Sequence, residues 1–252
     1  HVENEFTISI GATLVVLGAG TEFIANGSVE FDGANIFVNG GASVDLSNAT
    51  SYTHATVGEF QTATIRVQGS GSHLNLSNVT SITGASRAND DIVIEALAGG
   101  TIDLSRVTGI VDGGGSGGQQ GGRSISVSAS GTGSLVNLSA MTTFTDALTD
   151  EYSVLKAING GSVLTPLLVD LQGIWLQHDG TGTIPISQIV NFVNGRASLS
   201  GTTKVFNSLV NGGGTDFVVS GVFADLSQMT TVAFGGIELS GGATVNVSNV
   251  TN

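Results

Sequence analysis

Trp175, His178 and Asp179 fall within one five-residue stretch and bring an aromatic platform, an imidazole and a carboxylate together in the sequence. An exposed indole can stack on the apolar face of a sugar ring, and Tyr52 offers a second ring, so these four residues are candidates for a carbohydrate contact. The competing reading is a capped corner with a half-buried tryptophan. His1, His54, His73 and His178 show no metal-ligand spacing, so no zinc site is expected. Asp32, Asp216, Asp90-Asp91 and Asp150-Glu151 read as solvated loop charge, with loop-bound calcium as the alternative; neither the helix–loop–helix calcium loop nor the Gly-Gly-x-Gly-x-Asp repeat is present. Polysaccharide lyases and hydrolases need paired carboxylates, or a metal with an Arg or Lys base, grouped on one surface. Here the seven cations (Arg66, Arg87, Arg106, Arg123, Lys156, Arg196, Lys204) are scattered singly, so no catalytic residue and no cofactor is assigned, and a non-enzyme is expected. Ice binding would need a flat Thr-x-Thr array, whereas only one threonine position repeats.

Seven Asn-x-Ser/Thr sequons, at Asn26, Asn48, Asn75, Asn78, Asn137, Asn246 and Asn249, are candidate glycosylation sites. Six of the seven arise from a repeated phrase, which gives them a structural reading as well, with stacked Asn48 and Asn78 forming a side-chain ladder.

That phrase is apolar-Asp/Asn-Leu-Ser-x-apolar-Thr. It reads Val44-Asp45-Leu46-Ser47-Asn48-Ala49-Thr50 and recurs at 74–80, 102–108, 136–142, 224–230 and 245–251. From Leu46 the central apolar residue recurs at Leu76, Leu104 and Leu138, with a weaker copy, Val169-Asp170-Leu171, further on. A short alternating strand precedes each of the first copies, as in Ile36-Phe37-Val38 and Ile65-Arg66-Val67, and glycines such as Gly40-Gly41 and Gly99-Gly100 join the two. Alternation with period 2 marks a strand with one buried face, and glycine supplies the positive φ that a corner needs. The fold class expected is all-β, a parallel β-helix (β-solenoid) of about eight or nine coils of roughly 28–34 residues. Residues 1–252 form one domain, with an irregular or inserted stretch at about 162–223 that holds Pro166, Pro185 and Trp175. The glycine-rich run from Asp112 to Gly122 is expected as an exposed excursion.

Charged residues are 11% of the chain, and the net charge of −13 argues against nucleic acid and anionic membrane surfaces as partners. Cysteine is absent, which a stacked fold tolerates, and no apolar run is long enough to span a bilayer. The chain begins at His1 and stops within the phrase, without a polar cap. The expectation is a piece of a longer rod, or a subunit whose end docks head-to-tail on the next copy.

Gly40-Gly-Ala-Ser-Val-Asp-Leu-Ser-Asn-Ala-Thr50, Gly99-Gly-Thr-Ile-Asp-Leu-Ser-Arg-Val-Thr108 and the opening Phe6-Thr-Ile-Ser-Ile-Gly-Ala-Thr-Leu-Val-Val16 resemble the β-strand repeats of large bacterial surface proteins, the haemagglutinin-like adhesins and autotransporter passengers. The similarity covers about 70% of the chain. It implies a right-handed coil, secretion to the cell surface or matrix, and a mechanical or adhesive role. The resemblance identifies no binding residues. The partners expected are further copies or flanking segments, from the open coil ends, and surface glycans.

Overall fold

In Val44-Asp45-Leu46 successive side chains of an extended chain point to opposite sides, so the apolar residues face in and the carboxylate faces out. One turn cannot bury its own apolar side, and stacking many turns does so. The computed structural model describes residues 1–54, 61–87, 89–113, 122–147 and 151–251, and it is a parallel β-solenoid with three faces. The long face is a ten-stranded sheet from Thr13–Leu17 to Gly236–Ser240. The second face has six strands from Glu22–Ile24 to Ser162–Leu164, and three more from Lys204–Val205 to Thr244–Asn246. The third has six strands from Ser51–Thr53 to Asn191–Val193, with Phe6–Thr7 and Val29–Glu30 as a separate pair.

Inward residues form columns. Val44, Leu74, Ile102, Val136 and Val163 are register partners on the second face, and Leu46, Leu76, Leu104 and Leu138 follow at the corner; all are buried. Tyr52, Ile82, Ile110, Phe144, Leu171 and Phe192 make the matching column of the third face.

The Asp/Asn of each phrase makes the corner. Asp45 Oδ1 accepts the Ser47 N–H at 2.8 Å, and the same bond joins Asn75 to Ser77, Asp103 to Ser105, Asn137 to Ser139, Asp225 to Ser227 and Asn246 to Ser248. Such Asx turns satisfy a backbone donor that the bend would leave unpaired. Acid and amide alternate from Asp45 to Asn137 and again from Asp225 to Asn246, and each amide donates to an acid of the previous rung: Asn75 to Asp45 at 3.2 Å, Asn137 to Asp103 at 3.3 Å and Asn246 to Asp225 at 3.1 Å. The repeated threonine faces solvent; Thr80, Thr108 and Thr142 donate Oγ1–H to the carbonyls of Thr50, Thr80 and Thr108.

Register partners Thr13–Asn35, Ile36–Ile65, Ile65–Ile94, Ile94–Val127 and Val127–Leu155 give turns of 22, 29, 29, 33 and 28 residues. Leu155–Leu176–Ala197–Phe217–Ile237 continue with turns of 21, 21, 20 and 20. Nine turns make a rod of about 43 Å at ~4.8 Å per rung. The expected coil of 28–34 residues is thus corrected: the bare turn takes 20–22, and the middle turns carry extra residues at one corner, 54–61, 84–90, 113–124 and 147–152. Nor is 162–223 an insertion, because the long face runs through it unbroken. The repeat looked degenerate there because the step had shortened and Gly173 alone makes the corner. Most of the Asp112–Gly122 run, and Asp150, lie outside the described residues.

Asn75→Asp would stack three carboxylates on successive rungs. The expected cost is roughly 1–2 kcal/mol at pH 7, vanishing below about pH 4, when compared with the parent by urea denaturation. A Cβ at Gly100 would lie 2.3 Å from the Val67 carbonyl oxygen, so Gly100→Ala is expected to lower stability by about 1–3 kcal/mol in the same assay.

Candidate functional site

The strand Ile174–His178 alternates, and this parts the residues that the sequence brings together. Trp175 points outward from the long face. Its Nε1–H donates to Ser198 Oγ at 2.8 Å, and Arg196, its register partner on the next rung, places its guanidinium carbon 5.6 Å from the ring centroid. The indole is therefore tied along the sheet with Arg196 against it.

His178 points inward. Its Nδ1 accepts the Gly180 N–H at 3.0 Å and lies 2.8 Å from Lys204 Nζ, which also donates to Thr202 Oγ1 at 3.1 Å. Lys204 is 2% exposed and occupies an inward position that Ala224 fills one rung later. With Nδ1 accepting from both neighbours, the hydrogen-bond network assigns the ring proton to Nε2. Burial, and then the Lys204 charge, push His178 below its ordinary value. Burial likewise pushes Lys204 down, opposed by the charge of Asp179. Asp179 turns back to the corner, where partial burial acts to raise it. The N–H groups of Asn159, Gly182 and Thr181 and the Thr181 hydroxyl outweigh this and hold the carboxyl well below the usual range. These three residues thus form a sheet-bound indole, a core histidine and a corner cap; His178 and Asp179 both line a cavity of about 240 Å³, and Trp175 is not among its lining residues.

Tyr52 is a correction. It is 1% exposed, its ring stacks on Phe31 at 4.8 Å between centroids, and its hydroxyl donates to the Ala34 carbonyl at 3.0 Å. Burial, then the charge of Asp32, push its pKa well up. The inward parity of Ser51–Thr53 places this ring in the core column, where no sugar reaches it.

The sequon amides are engaged in the stack. Asn26 Nδ2 donates to Glu3, Asn48 to the Asn26 carbonyl, and Asn78 to the Ser47 carbonyl, while Asn75, Asn137 and Asn246 bond to the acids below them. Asn48 and Asn78 therefore reach backbone carbonyls of the rung beneath and do not pair with each other, which corrects the expected amide ladder. Arg106 donates in turn to Asn78 Oδ1. Asn249 is exposed on the last rung.

A cleft of about 520 Å³ opens where the third face divides, because Val29–Glu30 pairs with Phe6–Thr7 and, among the described residues, forms no ladder with Ser51–Thr53. Thr7, Glu30, Asp32, Asn48, Thr50 and Ser51 line it above an apolar floor of Ile8 and Val29. Asp32 Oδ1 accepts the Thr53 N–H at 2.8 Å. Among the described residues no group of three or more His, Asp or Glu side chains is gathered as a metal would need, and no helix is long and apolar enough to cross a membrane.

Sequence reasoning passed over Lys204 and the inward pair Asp112 and Asp146. The signal for Lys204 is its place in Lys204-Val205-Phe206, twenty residues before Ala224-Asp225-Leu226, and it becomes legible once the short step is known. Lys204→Met removes a buried amine whose charged form is disfavoured, so the variant is expected to be more stable at pH 7 by about 1 kcal/mol or more. His178 has its folded value below its unfolded one, so the stability that it contributes is lost as pH falls below about 6.5. The gain of Lys204→Met over the parent in urea midpoint is expected to grow as pH falls from about 7 to about 5, because His178 then protonates without a cation beside it. No protein-family model, no curated protein and no solved structure matches this chain.

Proposed function

We propose that this chain is a non-catalytic, extracellular structural solenoid, a subunit of a cell-surface or matrix filament or an adhesin stalk, whose action is the stacking of rungs. The observation that carries this reading is the contrast between the sealed middle and the open ends. Inner columns are buried through the middle of the rod, whereas the inward Ile237 and Leu239 of the last turn are 36% and 45% exposed with Phe234 wholly exposed beside them, and the inward Leu14 of the first turn is only partly buried. Among the described residues Thr13–Leu17 and Gly236–Ser240 each keep one edge outside any ladder, and open parallel edges recruit further strands. The turns at both ends have the short form, 22 and 20 residues, so the two end faces share an outline. A next rung, from the same polypeptide or a second copy, would set Leu14 and Val16 above Ile237 and Leu239 and extend both apolar columns. Repeated head-to-tail contact of this heterologous kind makes a fibre. The net charge of −13 disfavours lateral association.

Direct stacking of two copies meets one obstacle. Val2 bridges Ala25, whose column runs through Leu46 to Leu226 and Val247. The corner filled by residues 247–251 is therefore the one that residues 2–7 of an incoming copy would occupy, and one of these segments must swing away.

A sugar-binding role draws on the acid- and hydroxyl-lined cleft beside Asp32 in place of Trp175. On a glycan array, binding lost in Asp32→Ala and kept in Trp175→Ala would support it.

Negative-stain microscopy and sedimentation at neutral pH test the filament. End-to-end oligomers are expected, more of them when residues 1–7 are removed and fewer in Leu239→Glu. Isolated short rods at every concentration, with or without residues 1–7, would overturn self-stacking and leave the stalk.

A further inference from the structure

Two aspartates meet inside the solenoid at the corner where the longer turns carry their extra residues. Asp112 and Asp146 are register partners on neighbouring rungs, ~4.8 Å apart along the stack, and each is 1% exposed. They end the third-face strands Gly109–Asp112 and Thr143–Asp146. Arg123, itself 3% exposed, donates Nε–H to Asp112 Oδ1 at 3.2 Å and Nη2–H to the Gly113 carbonyl at 2.8 Å. Ser153 donates both its backbone N–H and its hydroxyl to Asp146 Oδ2, at 2.9 and 2.8 Å. Asp112 Oδ2 is buried and has no hydrogen-bond partner.

The surroundings add negative charge. On the long-face side Asp91 accepts the N–H and hydroxyl of Ser124, and buried Asp90 accepts the Gln61 N–H. Glu151 lies against Gly122, next to Arg123. On the previous rung of the third face stands Gly84, whose missing Cβ would lie 2.5 Å from Asp112 Oδ1, and one rung further is His54. Arg123 is the cation bonded to Asp112.

Two carboxylates and one guanidinium in a dry corner are neutral only when one carboxyl keeps its proton, because close like charges inside a protein do not both ionise. The two donors of Ser153 favour the ionised form at Asp146. The partnerless oxygen of Asp112 is the place for the proton.

We propose that Asp112 and Asp146 hold a single carboxyl proton between them, carried on Asp112, and that this proton closes the corner, so that the solenoid tightens there in acid and loosens as the proton leaves. Burial, and then the charge of Asp146, push Asp112 up to about 7 against the pull of Arg123. Its folded value lies above its unfolded value of 3.8. The stabilisation is therefore full below about pH 4 and lost as pH rises to about 7. Across that window one proton lowers the folded-to-unfolded ratio by about tenfold per pH unit, relative to a chain that lacks the titration.

The full chain tests this by carbon-detected NMR titration of Asp112 and by urea midpoints between about pH 4 and 8. Asp112 is expected to titrate between about pH 6 and 8. Asp112→Asn is expected to gain on the parent steadily as pH rises and then to level off. Asp146→Asn is expected to lower the Asp112 midpoint by about one unit or more, since it removes the repelling charge. An Asp112 midpoint below about pH 5 in the parent, or a parent-to-Asp112→Asn difference that does not change with pH, would overturn the proposal. If either variant fails to fold, the titration of the parent decides alone.

Discussion

In-register parallel stacking sets every side chain about 4.8 Å from its counterpart on the next turn, and this spacing governs which residues the chain can use. Apolar residues, hydroxyls and amides tolerate repetition at that distance, and a run of like charges does not. The outer corner of the second face meets the constraint by alternating Asp45, Asn75, Asp103 and Asn137, so each amide bonds to a carboxylate beneath it. On the long face the stacked charges have opposite sign: Arg66 pairs with Glu95 on the next rung and lies over Phe37 of the previous one. A charged content of 11%, with Ser, Thr and Asn in place of charge, follows from the same rule.

The interior exceptions obey it too. The column at the inner end of the third face reads His54, Gly84, Asp112, Asp146, Gly173, with glycine on either side of the acid pair. Those glycines have no room for a side chain, since a Cβ at Gly173 would meet the Asp146 carbonyl oxygen at 2.3 Å. At the other polar break in the core, Lys204 reaches from the second face to His178 on the long face, and both neutral forms are favoured by burial. Both exceptions join residues from different faces, so they tie the triangle of one turn together where the apolar columns alone would only tie turn to turn.

This distribution of order bears on the proposed role. The rod is sealed along its length by buried columns, and the inward Ile237 and Leu239 of its last turn are left partly exposed. On the outward side of the long face Trp175 is tied down by Arg196 and Ser198. The cleft beside Asp32 is the place where the ladder itself parts. In the proposed role, stacking is the action, and the buried columns along the rod are what it would rest on.

The sequence by itself determined the fold class. Its alternation assigned the inward faces of Val44, Leu46, Leu74 and Leu76, and the glycines such as Gly40 and Gly69 adopt the positive φ that the corner reading requires. Alternation has a fixed period of two, so it survives any change in coil length. The sequence did not reveal the bare coil of 20–22 residues, because extra residues at one corner stretched the visible repeat in the first half and their loss after Leu155 broke its spacing. Only the tertiary structure decided which residues meet across turns. Proximity along the chain grouped Trp175, His178 and Asp179, yet strand pleating sends the first outward and the second into the core. Tyr52 shows the same effect, an aromatic residue with surface chemistry drawn inward by its parity. Asp112 and Asp146 lie far apart in sequence, and they converge because register, a property of the stacked turns and of no single one, places them in one corner, where Arg123 closes on Asp112 from within its own turn.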